Sequence, residues 1–304
     1  MKLLAQGDFG EHLSAGGNAG YPAYIIKGSE HSLMIDAGIN LMGPAYLQSL
    51  QSILGDRHAL RYLFATHSHY DHLGSVPYLR RQLPGIKIGA AGRVEELLGK
   101  PSVLRFMSAL SEPHRGGMRH IVGDEDVSLE PVKLDFHLRE GDRFDLGGVS
   151  CEVHEVPGHT RDSLGFFIPE IRALFAGEAY GVPEGAHGEQ VQVEFLSSYD
   201  DYLSSLQKMI ALQPRIIGMA HMWVYTDDDA TEFLRDSLQS TPLYRQLIES
   251  YLDQAHGDTE AACEAMARTQ YDEKGTILQP RDAYIENLRA QVRTVAALRG
   301  KAPV

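Results

Sequence analysis

His67-Ser68-His69-Tyr70-Asp71-His72, followed by Leu73-Gly74, comes directly after the apolar run Tyr62-Leu63-Phe64-Ala65. Three imidazoles and a carboxylate crowd into six residues at the end of what reads as a strand. Such a cluster does nothing for packing. Neutral His and ionised Asp are the donors that zinc, iron and manganese accept, so the stretch reads as one wall of a metal site.

Working outward, the flanking chain alternates between strands and helices. Tyr24-Ile25-Ile26-Lys27 and Ser32-Leu33-Met34-Ile35-Asp36 flank Gly28-Ser29-Glu30 as a hairpin. Pro44 to Leu54 has helical spacing, Leu73 to Leu83 predicts a helix ended by Pro84-Gly85, and Ile86 to Ala90 a strand. The alternation predicts a layered α/β architecture. Residues 93–130 predict one or two Met-containing helices, read either as core or as a lid or pocket wall. Strands return at Leu134–His137, Val149–Val156, Leu164–Ile168 and Ala173–Ala176, then a helix over Ser198–Leu212 and a strand over Ile216–Ala220. From Asp227 onward the pattern is helical, with Thr241-Pro242 read as a helix start, Asp258-Thr259 as another, and Pro280 opening the last helix. The expected division is a catalytic domain over 1–226 and a helical extension over 227–304, which would cap the core, cover the site mouth or form a homodimer contact.

Composition narrows the functional classes. The 304 residues carry a formal net charge of -13, which argues against a nucleic-acid surface but not against an anionic small molecule. No apolar run is long enough to span a bilayer, and the N-terminus turns polar too soon for a secretory signal, so the expectation is a cytoplasmic protein without membrane partners. Two cysteines, Cys151 and Cys263, are too few for a disulfide scaffold and read as buried thiols.

Further candidate ligands stand where apolar strands end. His159 lies in Pro157-Gly158-His159-Thr160, Glu178 follows Leu174-Phe175-Ala176-Gly177, and His221 follows Ile216 to Ala220. His154 reads as a surface or internally satisfied His, His187 as an exposed loop His with reach to the pocket as the alternative, and Asp227-Asp228-Asp229 as a charge cluster at a helix N-terminus.

These residues, in this order over about residues 20 to 225, resemble the metallo-β-lactamase superfamily of hydrolases. The resemblance implies a four-layer αββα sandwich, here with a C-terminal helical extension. It implies that His67, His69 and His159 bind a first divalent ion and Asp71, His72 and His221 a second, with Glu178 bridging. Zinc is the first expectation, with iron or manganese as alternatives, since such donors do not discriminate sharply. Asp36 would support the ligands without binding metal. Two features depart from the family pattern: Glu178 stands where Asp is usual, and Ala220-His221-Met222-Trp223 replaces the common Gly-His-Gly.

The chemistry implied is attack on a carbonyl by a hydroxide shared between two cations that lower its pKa. Asp71 would orient that nucleophile, and Tyr180 would donate to the developing oxyanion. Within the superfamily, Glu178 stands where secreted zinc β-lactamases carry Cys, the acidic charge disfavours nucleases, His69 stands where flavodiiron proteins carry Glu, and the basic residues by which glyoxalase II holds glutathione are not found. A catalytic core followed by several helices is similar to the quinolone-signal-pathway type of thioesterase. The expected function is therefore a thioesterase-like metallo-hydrolase of a small-molecule carbonyl substrate. A lactonase, or a metal-binding regulatory protein with little turnover, is the alternative.

Overall fold

The computed structural model describes residues 1–188 and 190–300. Its contacts divide the chain into two compact units. The first comprises Met1–Glu155, Asp162–Gly177 and Pro214–Asp227; the second comprises Val156–Arg161, Glu178–Gln213 and Asp228–Val304. The chain passes for the last time from the first unit to the second at Asp227/Asp228, and the second unit also takes in 156–161 and 178–213. Residues 301–304 of the expected extension lie outside the described residues.

The first unit is built on two sheets of seven strands each among the described residues. One runs in chain order through β2 (Gly7–Asp8), β3 (Leu13–Asn18), β4 (Tyr21–Lys27), β5 (Ser32–Ile35), β6 (Leu60–Phe64), β7 (Lys87–Ala90) and β8 (Phe136–His137). The other has the order β1-β16-β15-β12-β11-β10-β9, from β1 (Lys2–Leu4), β16 (Trp223–Thr226), β15 (Ile216–Gly218), β12 (Ala173–Phe175), β11 (Leu164–Ile168), β10 (Ser150–Glu155) and β9 (Arg143–Asp145). The predicted hairpin is present, with Ile25 opposite Met34. Alternation along its strands explains two cores. Tyr24, Ile26, Leu33, Ile35 and Phe64 turn inward to meet Val153, Phe166, Ile168 and Phe175 of the other sheet. Ile25, Met34, Leu63 and Ile88 turn outward onto Leu47, Leu50 and Leu79 of the helices.

Those helices are α1 (Gly43–Leu54), α2 (Tyr70–Leu73) and α3 (Val76–Gln82). The single helix expected from Leu73 to Leu83 is thus two pieces. Pro77 sits in the first turn of α3, where its missing N–H costs nothing, so a new helix starts there. Gly74 lies in the break, packed so close that a Cβ would stand 2.4 Å from the amide nitrogen of Asn40. Residues 93–130 hold α4 (Gly92–Leu98), α5 (Pro101–Ser111), a 3-10 turn at Glu112–His114 and α6 (Arg119–Val122).

The parallel pairs decide where the site can form. β5, β6 and β7 run parallel, as do β12 and β15. Asp36 follows β5, His67 follows β6 after Ala65-Thr66, and His221 follows β15 after Met219-Ala220. Side chains gather beyond the carboxyl ends of parallel strands, the usual position for a site in layered α/β proteins.

The second unit holds the ribbon β13 (Val182–Glu184) and β14 (Gln190–Gln192), then α7 (Tyr199–Ala211), α8 (Asp228–Gln254), α9 (Thr259–Ala267) and α10 (Arg281–Arg299). Ser198 and Asp258 cap α7 and α9 with their side chains. Thr241-Pro242 does not begin a helix: Pro242 lies inside the continuous α8. The apolar face carrying Phe233 and Leu234 before it and Ile248 and Leu252 after it is buried on both sides, which outweighs a proline penalty of about 3 kcal/mol. The Thr241 hydroxyl meanwhile bonds back to the carbonyl of Ser237 at 2.7 Å. Cys151 and Cys263 are buried free thiols. Among the described residues no helix is long and apolar enough to cross a membrane.

Candidate metal centre

In the first unit, β6 delivers Thr66 and His67, and the single turn of α2 carries Asp71 and His72 just after His69. The rings of His67 and His69 have centroids 4.5 Å apart, and those of His67 and His72 are 4.1 Å apart. His221 joins from the other sheet, its Nε2 3.5 Å from Asp71 Oδ2. One ligand atom from each of Asp71, His72 and His221 lies within 4.8 Å of the others, as does one from His67 with one from His69. His67 and His72 are each 1 % exposed. Neutral rings pointing lone pairs at a common centre are what a cation requires.

The orientation of each ring follows from its second nitrogen. His221 Nδ1 lies 2.6 Å from the carbonyl of Gly20, which can only accept, so Nδ1 carries the proton and Nε2 the lone pair. Asp36 governs two more rings. Its Oδ1 accepts from the Thr66 amide at 2.8 Å, and its Oδ2 lies 2.9 Å from His72 Nδ1. The Thr66 hydroxyl reaches the same carboxylate at 3.0 Å and stands 3.0 Å from His67 Nδ1. One carboxylate therefore sets the donor atom of His72 directly and of His67 through a hydroxyl. Asp36 has the left-handed φ of 62°, tolerable for Asp, and its amide bonds to Phe64 O.

The second unit supplies His159 and Glu178, 1 % and 6 % exposed. His159 Nδ1 donates to the carbonyl of Glu194 at 2.7 Å, which leaves Nε2 as its donor atom, 3.6 Å from Glu178 Oε2. Gly158 is required before it: φ is +132°, and a Cβ would stand 2.4 Å from the Tyr202 backbone. Tyr180 has no exposed surface and is buried within the second unit. His187 is exposed in the β13–β14 turn, whereas His154 is largely buried, with its Nδ1 3.4 Å from a Glu140 carboxylate oxygen.

Several residues that shape the centre escaped sequence reasoning. Thr66 is an ordinary strand residue until the fold sets it beside Asp36. Gly177 has φ +56°, and a Cβ there would approach Thr66 Oγ1 to 3.0 Å and His67 Nδ1 to 3.1 Å. Tyr21 stands edge-on to His221 at 5.9 Å, and on to His114 at 6.3 Å. Within 93–130, Val94, Leu98, Met107 and Val122 belong to the buried core. Burial first, and then the charge of Asp71, push the Tyr21 phenol up, so it remains a proton donor at ordinary pH.

The donor set fits divalent ions: imidazole lone pairs whose other nitrogens are held, together with carboxylates. The family model of the metallo-β-lactamase superfamily matches residues 17–221. A metallo-β-lactamase fold-containing protein of Sulfurisphaera tokodaii is 25% identical over 220 residues, 71% of this chain and 77% of that protein. An acyl-coenzyme A thioesterase, MBLAC2 of Gallus gallus, is 28% identical over 203 residues, 63% of this chain and 67% of that protein. Among solved structures, a metallo-β-lactamase family protein of Thermus thermophilus superposes with a TM-score of 0.62 at 18% identity, covering 99% of this chain and 93% of its own. The fold is the αββα sandwich of these proteins with added C-terminal helices, and the chain belongs to the metallo-β-lactamase superfamily.

Proposed function

We propose that the protein is a binuclear metallo-hydrolase that cleaves a thioester, with His67, His69 and His159 holding one ion and Asp71, His72 and His221 the other. Glu178, its Oε2 3.6 Å from His159 Nε2 and one oxygen close to Asp71, His72 and His221, would be the carboxylate shared between the ions or, being one methylene longer than the family's Asp, a ligand to one of them alone. The observation that carries the reading is the convergence of five ligand-type side chains at the strand ends of the first unit, three with their second ring nitrogen already engaged. Ions bound here would supply a water acidic enough to ionise near neutral pH and a Lewis acid for the carbonyl oxygen. Asp71, half-buried beside His221, orients the attacking water and takes its proton. Tyr180 is assigned as the donor to the developing oxyanion. The thioester preference rests on the acyl-coenzyme A thioesterase relative and on the core-plus-helices layout. Zinc is the first candidate, and the acidic protein surface does not bar an anionic acyl carrier, because the ions carry the local charge.

The test is turnover by the purified protein on acyl-CoA and lactone panels at matched metal content, with His69→Ala alongside. Acyl-CoA hydrolysis abolished by His69→Ala is the expected result. Activity that survives His69→Ala overturns the ligand assignment. Lactones hydrolysed in preference to thioesters would make the protein a lactonase. Metal binding without turnover on either panel would make it a regulatory binder.

A further inference from the structure

We propose that α10 is a positioning element for His159, so that the C-terminal helix acts on the metal centre; this rests on the metal-site reading above. Residues 193–198, between β14 and α7, have no regular secondary structure, yet Val193, Glu194 and Phe195 are buried. Buried irregular backbone needs partners for its carbonyls. α10 supplies them from one face, with side chains spaced about one and two turns apart. Gln291 Nε2 donates to Val193 O at 2.6 Å, and Thr294 Oγ1 donates to Leu196 O at 2.8 Å. Asn287 Nδ2 donates to Glu194 Oε2 at 3.1 Å. Tyr244 of α8 donates to Gln291 Oε1 at 3.0 Å, which fixes which end of the amide faces Val193.

The segment held in this way grips the ligand loop. The carbonyl of Glu194 takes the His159 Nδ1 proton at 2.7 Å. The amides of Leu196, Ser197 and Ser198 all converge on Gly158 O, at 3.1, 3.0 and 3.2 Å. The polar side chains of α10 thus bond to the residue that orients His159 and to its near neighbours on both sides. A helix that merely capped a core would need apolar contacts there, not three directed donors. Loosening α10 leaves the His159 ring in place as a side chain but frees its rotation and its tautomer, which weakens it as a ligand.

The experiment uses the full chain with the double variant Asn287→Ala/Thr294→Val, the conservative Thr294→Ser, and His159→Ala. Zinc affinity is read by competition with a chelating dye, and the thermal midpoint is read on metal-free protein. The double variant should bind zinc about ten- to a hundredfold more weakly with little change in the metal-free midpoint, and Thr294→Ser should match the parent. Adding His159→Ala to the double variant should produce no more loss than His159→Ala alone, because both act through one ligand. Unchanged zinc affinity with a lowered midpoint, or losses that simply add, would overturn the proposal and leave α10 as packing. Failure of the parent protein itself to bind zinc would instead strike the metal-site reading, and this inference with it.

Discussion

Replacing Asp36 by Asn changes one oxygen to an NH2 group and should disable His72 as a ligand. The backbone tolerates the change, since Asn is among the residues that accept a left-handed φ, here 62°. The side chain has only one workable orientation. The Thr66 amide is a fixed donor 2.8 Å from Oδ1, so the Asn oxygen must stay there. The NH2 then occupies the Oδ2 position, 2.9 Å from His72 Nδ1, where donor meets donor. The ring relieves the clash by moving its proton to Nε2, and an Nε2–H has no lone pair for an ion. Thr66 also loses an anionic acceptor at 3.0 Å, which loosens its hold on His67. Disturbing a ligand's outer partner typically costs ten- to a hundredfold in metal affinity, about 1.4–2.7 kcal/mol, and the lost hydrogen bonds to a charged group about 1.5–3 kcal/mol each in the metal-free fold. Chelator competition and urea melts of metal-free protein measure the two separately. Wild-type zinc affinity and stoichiometry in Asp36→Asn would refute the argument that this carboxylate sets the ligand tautomers.

Three further outcomes follow from the same geometry. Gly177→Ala should lower metal-free stability by about 1–2 kcal/mol for the left-handed backbone and also weaken metal binding, because its Cβ would press on Thr66 and His67 at 3.0 and 3.1 Å; urea melts and dye competition that are both silent would contradict it. His221→Ala should reduce bound metal from about two equivalents to about one by elemental analysis, because the His67 and His69 pair is left intact; full occupancy would count against the assigned second ion. Burial holds Tyr46, Tyr202 and Tyr244 above the ordinary tyrosine value of 10.0, so above that value the folded state keeps protons that the unfolded chain releases. Their contribution is therefore intact below about pH 10 and is lost as pH rises beyond it, which urea midpoints followed with tyrosinate absorbance would show; a midpoint that stays level well above pH 10 would contradict it.

The candidate ligands were legible because each is announced by its own neighbourhood in the chain, a polar residue where an apolar strand stops. His67 to His72 needs only six consecutive residues to be recognised. Local signals misled where tertiary burial overruled them. Pro242 reads as a helix start, yet the buried face on either side carries α8 straight through it. Gly74 and Pro77 break the helix predicted over 73–83 because the chain must pass against Asn40.

The groups that orient the candidate ligands were not legible, and the reason is register. Asp36 and Thr66 are thirty residues apart, and nothing in either neighbourhood names the other. They meet because β5 and β6 run parallel with Ile35 opposite Phe64, so both chains leave the sheet at the same level. Glu194 is more remote still: its side chain is an ordinary acid, and what it offers His159 is a backbone carbonyl that every residue possesses. A sequence shows which side chains can bind a metal. Which ring nitrogen a histidine presents is decided by a carboxylate, a hydroxyl and carbonyls that only folding brings within about 3 Å, and the activity proposed for this centre depends as much on those partners as on the candidate ligands themselves.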